Sequence, residues 1–297
     1  MSDAVVLDIE QSSPKATSRP GYCTGVARQL GRNPVAVLSA LLLVVIIVAA
    51  LLAPWLAPAD PYKASMIRRL LPLGSPGYLL GTDELGRDML TRLMYGGRLS
   101  LLMGVLPVLF AFIVGTSIGV IAGYVGGWLN MVIMRVFDVF YAFPSVLLAV
   151  AIAGALGPGM SSSLIALTLV FVPQVVRVAE SVTTQVRQLD YIDAARLSGA
   201  GSLSIIRIHV LGNVLGPVFV YATGLISVSL ILASGLSFLG LGVKPPEAEW
   251  GLMLNTLRSA IYINPLLAAL PGVMIFATSM AFNLLADGVR SAMDIRR

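Results

Sequence analysis

Long stretches without a charged residue constrain the fold of this chain more than any other feature of its sequence. Each is longer than the ~20 apolar residues that a membrane-spanning helix needs. Five such stretches lie between Arg32 and Asp60, Arg98 and Arg135, Asp138 and Arg177, Arg207 and Lys244, and Arg258 and Asp287. Charged residues make up only 12% of the chain, about half the share in an average soluble domain. This composition excludes a soluble globular enzyme and a disordered chain, and is typical of a polytopic membrane protein.

The stretch from Asp138 to Arg177 is too long for a single helix. It is interrupted by Gly157-Pro158-Gly159 and the serines that follow, since glycine and proline punctuate helices. The sequence therefore predicts an all-α membrane protein with six transmembrane helices, placed at 35–57, 99–122, 131–156, 164–184, 213–238 and 266–287.

The first predicted helix has an alternative interpretation as a cleavable signal peptide, because Ala57-Pro58-Ala59 resembles a small-residue cleavage site. The apolar stretch is longer than the about 7 to 15 residues of a signal peptide's apolar region, and a polar segment precedes it. We therefore expect a retained membrane anchor.

Six spans place both ends of the chain on the same side of the membrane. If that side is the cytoplasm, twelve Lys and Arg residues lie inside and eight outside, as the positive-inside rule favours. The basic segment 58–98 opposes this placement, but long polar segments are translocated largely regardless of charge. The predicted organisation is a cytoplasmic tail at 1–34, the first helix at 35–57, an extracytoplasmic segment at 58–98, a five-helix core at 99–288 and a cytoplasmic tail at 289–297.

The usual sequence signatures of catalysis are missing from the chain. Cys23 is the single cysteine and His209 the single histidine, which excludes an internal disulfide and a two-histidine metal site. No lysine follows a phosphate-binding glycine loop. We expect a chain that is not an enzyme, does not bind ATP itself, and holds no cofactor or metal.

An ion-coupled secondary carrier is a second hypothesis. Such carriers place ionisable groups near the membrane midplane, whereas the charges of the predicted spans fall near helix ends: Arg135, Asp138, Arg177, Glu180 and Asp287. A helix boundary that differs by one turn would move Asp138 or Glu180 deeper.

The polar loop between the fourth and fifth spans has a helical pattern. Apolar side chains recur every three residues at Val186, Leu189, Ile192 and Ala195, which predicts a short amphipathic helix. Gly199-Ala200-Gly201 ends it, and Ser202 is a suitable cap for a second short helix. The small residues Ala194 and Ala195 would let a partner protein approach closely. The alternative is an ordinary amphipathic connector.

Several segments of the sequence resemble ABC importer permeases. Asp193-Ala194-Ala195, with Gly199 after three residues and Val210-Leu211 at the end, resembles the EAA motif of that family. Leu80–Asp88 resembles the signature before the second span in permeases of the dipeptide, oligopeptide and nickel importers; its residues include Gly81, Thr82, Asp83, Gly86, Arg87 and Asp88. The match as a whole closely follows the second permease subunit of those importers. Further matches are Ala122–Trp128, Ser237–Val243, Trp250-Gly251 and Ala281–Gly288.

The resemblance covers about residues 33–294 and implies a multi-subunit machine. It implies a bacterial inner-membrane permease that pairs with a homologous permease as a heterodimer, in contact with membrane lipid and without nucleic acid. Two cytoplasmic subunits would bind ATP and Mg, and an extracytoplasmic binding protein would deliver the substrate. The EAA-like loop between spans 4 and 5 would form the coupling helix in a cleft of the ATPase. Small peptides are the expected substrate, with nickel chelates, glutathione or other small solutes as alternatives.

Two residues depart from the family's EAA pattern. Asp193 replaces the usual glutamate, and Gly212 stands where a proline usually closes the motif. The carboxylate is retained, so we expect coupling to be retained, with a more flexible exit from the second short helix.

The segment Leu80–Asp88 has two interpretations. Asp83, Glu84 and Asp88 are ligands of the type that hard cations prefer. The structural alternative, which we favour, is a short interfacial helix capped by Thr82 or Asp83, with exposed carboxylates that pair with nearby arginines. On the outer side this segment would contact the binding protein or the partner permease.

Overall fold

The computed structural model describes residues 28–294, which leaves Cys23 and parts of both predicted tails outside the described residues. Nine principal helices are present in this part of the chain: α1 Pro34–Leu51, α2 Met89–Val125, α3 Gly127–Tyr141, α4 Ser145–Leu156, α5 Met160–Arg187, α6 Asp190–Leu197, α7 Leu211–Phe238, α8 Trp250–Thr256 and α9 Pro265–Asp294. Shorter helical turns are Ala53–Leu56, Met66–Arg68, Ser202–Ile205, Ile206–Val210 and Arg258–Tyr262.

Five helices in the described region are long and apolar enough to cross a membrane, and a bent pair makes a sixth candidate. The five are α1, α2, α5, α9 and the continuous helix Ser202–Phe238, which contains α7. The pair is α3 and α4, which meet at 87°. The all-helical membrane fold is thus confirmed, with five or six spans according to how the pair is counted.

Two helix boundaries were predicted wrongly. The helix that contains the second predicted span begins at Met89, before the predicted residue 99, because the Asp88 carboxylate caps it by accepting the Thr91 N–H at 2.7 Å. The third span is not one helix over 131–156, because Pro144 has an extended backbone and separates α3 from α4. Proline lacks the N–H that a continuous helix requires at that point.

Helices α2 and α5 form the centre of the bundle. A Cβ added to Gly115 would lie 2.8 Å from Val175 Cβ, and one added to Gly119 would lie 2.6 Å from Ala179 Cβ. Such small residues let membrane helices approach until their backbones nearly touch. Buried residues from α2, α5 and α7 form one apolar core, while Met89 and Leu93 of α2 belong to a second apolar cluster.

The segment between Ala57 and Asp88 is mostly irregular; we call it the outer segment after its predicted side of the membrane. Its helical content is the single turn Met66–Arg68, so the predicted interfacial helix capped by Thr82 or Asp83 is wrong. Gly81 and Gly86 both have positive φ, and a Cβ at either residue would collide with a backbone carbonyl oxygen, of Leu71 and Ser65 respectively. Glycine is therefore required at both positions, because any side chain would clash and strain the backbone.

Candidate coupling loop and outer ion-pair cluster

The short helix α6 is the first part of the coupling loop, which we define as residues 190–212. Asp190 and Asp193 lie in its first turn and Arg196 in its last, an arrangement that suits the helix dipole. Asp193 Oδ1 and Arg196 Nη1 are 3.2 Å apart in an exposed ion pair. Ile192 is fully buried in the main apolar core, so this residue anchors α6 to the bundle.

A tight glycine turn ends α6. Gly199 has φ +84° and its N–H donates to the Arg196 carbonyl at 3.0 Å, while the Ala200 N–H donates to the Ala195 carbonyl at 3.1 Å. These two bonds form a Schellman motif, which normally requires glycine at the left-handed position. The Ser198 hydroxyl also donates to the Ala194 carbonyl at 3.0 Å.

Two other helices hold α6 in place. The Arg196 guanidinium lies over the Tyr124 ring of α2, 5.5 Å from the ring centroid. The Tyr191 hydroxyl accepts a hydrogen bond from the Asn213 amide of α7 at 3.1 Å. These two contacts attach α6 to α2 and α7, two long helices of the bundle.

The second helix of the loop is continuous with α7. Ser202–Ile205 runs through a π-helical turn at Ile206–Val210 directly into α7. Gly201 is the cap, without a side-chain hydrogen bond, so the expected capping by Ser202 is wrong. Gly212 lies inside this continuous helix, so the helix continues without a break at the position where the family usually has proline.

The six predicted coupling residues differ in how much of each side chain is exposed to solvent. Asp193, Ala194 and Gly199 are exposed, Ala195 and Leu211 are half-buried, and Val210 is fully buried. Val210 therefore packs within the chain. Motif matching missed two apolar neighbours: Leu197 is 90% exposed and Leu203 is 80% exposed. The sequence pattern that could have identified them is a pair of leucines on either side of the polar glycine turn. The exposed surface formed by Asp193, Ala194, Leu197, Gly199 and Leu203 is hereafter the docking face.

The outer segment holds a buried ion-pair cluster centred on Asp83. This carboxylate is 2% exposed; it lies 2.6 Å from Arg87 Nε and 3.1 Å from Arg92 Nε, and accepts the N–H groups of Leu85 and Arg87 at 2.9 Å. The expectation of exposed carboxylates is wrong, because the segment folds over them. Its neighbours Thr82 and Asp88 are also buried; the Thr82 hydroxyl donates to the Arg68 carbonyl and accepts the Leu71 N–H.

The cluster has little capacity left for a cation. Both Asp83 oxygens already have cationic or N–H partners, and Asp88 is occupied as a helix cap. Within residues 28–294 no group of three His, Cys, Asp or Glu side chains is placed to hold a metal ion. Glu84 pairs with Arg87 at 3.0 Å, and burial raises the pKa of the Glu84 carboxyl. The geometry supports a structural role for Leu80–Asp88, although without the predicted helix and with buried instead of exposed carboxylates.

Arg92 connects this cluster to a distant part of the chain. Its guanidinium donates to the carbonyls of Pro61, Pro246 and Glu247 at 3.1, 3.4 and 3.2 Å. These bonds fasten the outer segment to the connection between α7 and α8. Next to this connection, an open cleft of about 450 Å³ is lined by Leu99, Pro158, Gly159, Met160, Val243, Lys244 and Glu247.

Glu249 is a buried polar residue that sequence reasoning missed. It is fully buried and caps α8, accepting the N–H groups of Gly251 and Leu252 at 2.9 and 2.8 Å and the Ser100 hydroxyl at 3.0 Å. Burial raises the pKa of its carboxyl, and these hydrogen bonds oppose the shift. The Ser100 hydroxyl also accepts the Trp250 N–H at 3.0 Å, so Glu249 fixes α8 against α2.

Comparison with known proteins gives matches over nearly the whole chain. Residues 115–297 match the family model described as binding-protein-dependent transport system inner membrane component, and residues 23–72 match the N-terminal TM domain of oligopeptide transport permease C. The chain is 40% identical over 267 residues to the glutathione transport system permease protein GsiD of Pectobacterium atrosepticum, covering 90% of this chain and 89% of that protein. It is 42% identical over 259 residues to the di/tripeptide transport system permease protein DppC of Pseudomonas aeruginosa, covering 86% of each.

A solved structure shares the fold. The inward-facing MetNI methionine ABC transporter aligns with a TM-score of 0.55 and 18% identity, over 66% of this chain and 94% of that chain. The family matches, the candidate membrane spans and the shared helical fold agree with one another. Together they favour an ABC importer permease over an ATP-independent carrier. The chain belongs to the binding-protein-dependent transport system inner membrane component family, and is a multi-pass inner-membrane permease subunit of an ABC importer.

Proposed function

We propose that this permease forms a translocation path for small peptides together with a homologous permease. Two cytoplasmic ATP-binding subunits, which hold ATP and Mg, would drive transport, and an extracytoplasmic binding protein would supply the peptide. Support for this substrate class comes from the relatives, which are named as di/tripeptide and glutathione permeases. Because glutathione is itself a tripeptide, both names indicate a small peptide. The cleft beside Lys244 and Glu247 offers both signs of charge to a peptide-loaded binding protein.

The single observation that carries the coupling mechanism is the attachment of α6. The docking face is exposed, while Ile192, Arg196 and Tyr191 fix the same helix to the core, to α2 and to α7. Closure of the ATP-binding subunits would push on residues 190–212 and tilt these long helices, which changes the path from inward-facing to outward-facing. This mechanism requires residues 190–212, and with them both chain ends, to lie on the cytoplasmic side.

The coupling role is tested by adding bulk to the docking face. Ala194→Trp places a large side chain on an exposed position of α6, which we expect to release the ATP-binding subunits during co-purification and to abolish ATP-dependent uptake. Ala59→Trp, the same change at an exposed position of the outer segment, is the control and should retain both. If Ala194→Trp recovers the ATP-binding subunits and takes up substrate as well as the wild-type protein does, the coupling role is refuted.

The substrate class is tested separately with the reconstituted importer and its binding protein. We expect saturable, ATP-dependent uptake of a radiolabelled dipeptide, with competition by unlabelled tripeptide and glutathione. Uptake of a nickel chelate or another non-peptide solute alone would reject the peptide assignment, while the role as an importer permease would stand.

A further inference from the structure

A solvent-exposed ion pair joins α3 to α5 outside both sites described above. Arg177 Nη2 lies 2.6 Å from Asp138 Oδ1, and the two side chains are 51% and 40% exposed. The Arg177 guanidinium also lies over the Tyr141 ring, 4.4 Å from its centroid. The three side chains thus form a compact charged surface that residues 28–294 leave partly exposed.

The position of Arg177 along α5 places this surface inside the membrane. The helix Met160–Arg187 has 28 residues, and its central ~20 residues are enough to cross the hydrocarbon layer. Arg177 lies about 9 Å inside the end of that central stretch at 1.5 Å per residue, so it is within the span and not at its end as expected from the sequence. Charged side chains at such depth avoid lipid, and face a water-filled path or another polypeptide.

The surroundings of the pair are open and combine polar with apolar side chains. None of the residues of α3, all of which the structure describes, is buried within this chain. Beside the bend between α3 and α4 lies a cavity of about 130 Å³, whose mostly apolar lining includes the polar side chains of Tyr141, Ser145 and Gln174. The Gln174 amide oxygen in turn accepts the Tyr221 hydroxyl of α7 at 3.4 Å. Polar side chains from three helices, α3, α5 and α7, therefore meet beside this cavity.

We propose that Asp138 and Arg177 line the translocation path and bind the charged ends of a zwitterionic peptide. Arg177 would exchange the Asp138 carboxylate for the peptide's α-carboxylate, to which its planar guanidinium can donate two parallel hydrogen bonds. Asp138 would meanwhile accept the peptide's ammonium group. The exchange replaces one ion pair by two without a change of net charge, so the peptide ends stay paired in the path. The Tyr141 ring holds the guanidinium in place through a cation–π contact.

This inference rests on the proposed peptide transport, so the experiment uses the complete importer with its binding protein and a radiolabelled dipeptide. We expect Arg177→Gln and Asp138→Asn each to reduce uptake at least tenfold, while assembly with the partner subunits and basal ATP hydrolysis stay as in wild type. Arg135→Gln removes an exposed charge elsewhere on α3 and should change uptake less than twofold. Loss of assembly in Arg177→Gln would instead assign the pair to the interface with the partner permease and overturn the proposal.

A charge swap separates peptide binding from a purely structural ion pair. Arg177→Asp combined with Asp138→Arg keeps an ion pair between α3 and α5, and should restore the thermal stability of the complex but leave uptake low, because the charges now meet the wrong ends of an oriented peptide. Restored uptake in the swap, or unchanged uptake in the single variants, would overturn the proposal. If the wild-type importer itself transports no peptide, the proposed substrate class has failed, and that outcome is visible before any variant is compared.

Discussion

Gly199 and Gly240 end two helices with the same backbone geometry at distant points of the molecule. Gly240 has φ +81° and repeats both bonds of the Gly199 motif, from the Gly240 N–H to Ser237 and from the Leu241 N–H to Leu236. Neither glycine has a heavy atom of the described region within 4 Å of an added Cβ. Substitution at either therefore costs backbone strain of about 1 to 2 kcal/mol without a steric clash.

This equivalence makes Gly240 a matched control for the coupling role of Gly199. We expect Gly199→Leu and Gly240→Leu to lower the melting temperature of the purified permease by similar amounts. Only Gly199→Leu should release the ATP-binding subunits in co-purification, because only Gly199 lies on the docking face. Equal subunit loss in both variants would mean that the effect comes from backbone strain alone.

Among residues of the outer segment, Asp83 is the one whose substitution we expect to lower the free energy of unfolding most. Asp83→Asn leaves Arg87 and Arg92 buried with less compensating charge, which should cost about 3 to 5 kcal/mol, as when one partner of a buried pair is removed. Asp193→Asn at the exposed pair with Arg196 should cost less than about 1 kcal/mol. Thermal unfolding of the two variants, measured in the same detergent, checks this; similar stability losses would contradict it.

The sequence indicated the residues of this cluster but misjudged their environment. Asp83, Arg87 and Asp88 were recognised as a motif, yet their burial depends on Arg92 bonding to Pro61, Pro246 and Glu247. Those carbonyls are remote in sequence, so no local pattern predicts the contact. Glu249 was missed for a related reason: its capping role depends on burial against Ser100 of α2, and glutamate is not among the preferred helix caps.

Among the helices, the charge-free stretches predicted where membrane spans exist but not where they begin or end. Hydropathy reflects the ~30 Å thickness of the hydrocarbon layer, whereas helix ends are set by hydrogen bonding. The Asp88 cap therefore extends α2 outward beyond the apolar stretch, and Pro144 breaks an apolar stretch that hydropathy reads as continuous. Helix-breaking residues such as Pro144 can be recognised in the sequence. The 87° angle between α3 and α4 cannot be predicted in this way, because it depends on packing.

The packing of α2 on α5 gives a test at the scale of the element. Gly119 lies where an added Cβ would be 2.6 Å from both Ala179 Cβ and the Val176 carbonyl oxygen, so Gly119→Ala should force the helices apart at a cost of about 1 to 3 kcal/mol. Gly154→Ala in α4 is the control, because no described atom lies within 4 Å of its Cβ position; it should gain about 0.5 to 1 kcal/mol from the higher helix propensity of alanine. Thermal unfolding shifts of the same sign in both variants would contradict this account of the α2–α5 contact.

At the scale of the whole molecule, α1 and the outer segment are fastened to the permease core at both ends of α1. Arg98 of α2 donates to the carbonyls of Ala50 and Leu51 at 2.6 Å, which satisfies the free carbonyls at the C-terminal end of α1. Near the other end, a Cβ added to Gly288 of α9 would lie 2.6 Å from Ala36 Cβ. The first helix is therefore integrated into the bundle rather than tethered to it by the outer segment alone.

The orientation of the molecule in the membrane can be tested with single cysteines, because Cys23 is the only cysteine of the chain. In a Cys23→Ser background, Leu197→Cys and Ile67→Cys place thiols at positions that are 90% and 96% exposed, in the coupling loop and the outer segment. We expect a membrane-impermeant maleimide to label Ile67→Cys in intact spheroplasts and Leu197→Cys only in inside-out vesicles. Labelling of Leu197→Cys should rise when the ATP-binding subunits are stripped from those vesicles, since they would cover the docking face. The reverse sidedness would reject cytoplasmic termini, and labelling that does not change on stripping would reject Leu197 as part of the docking face.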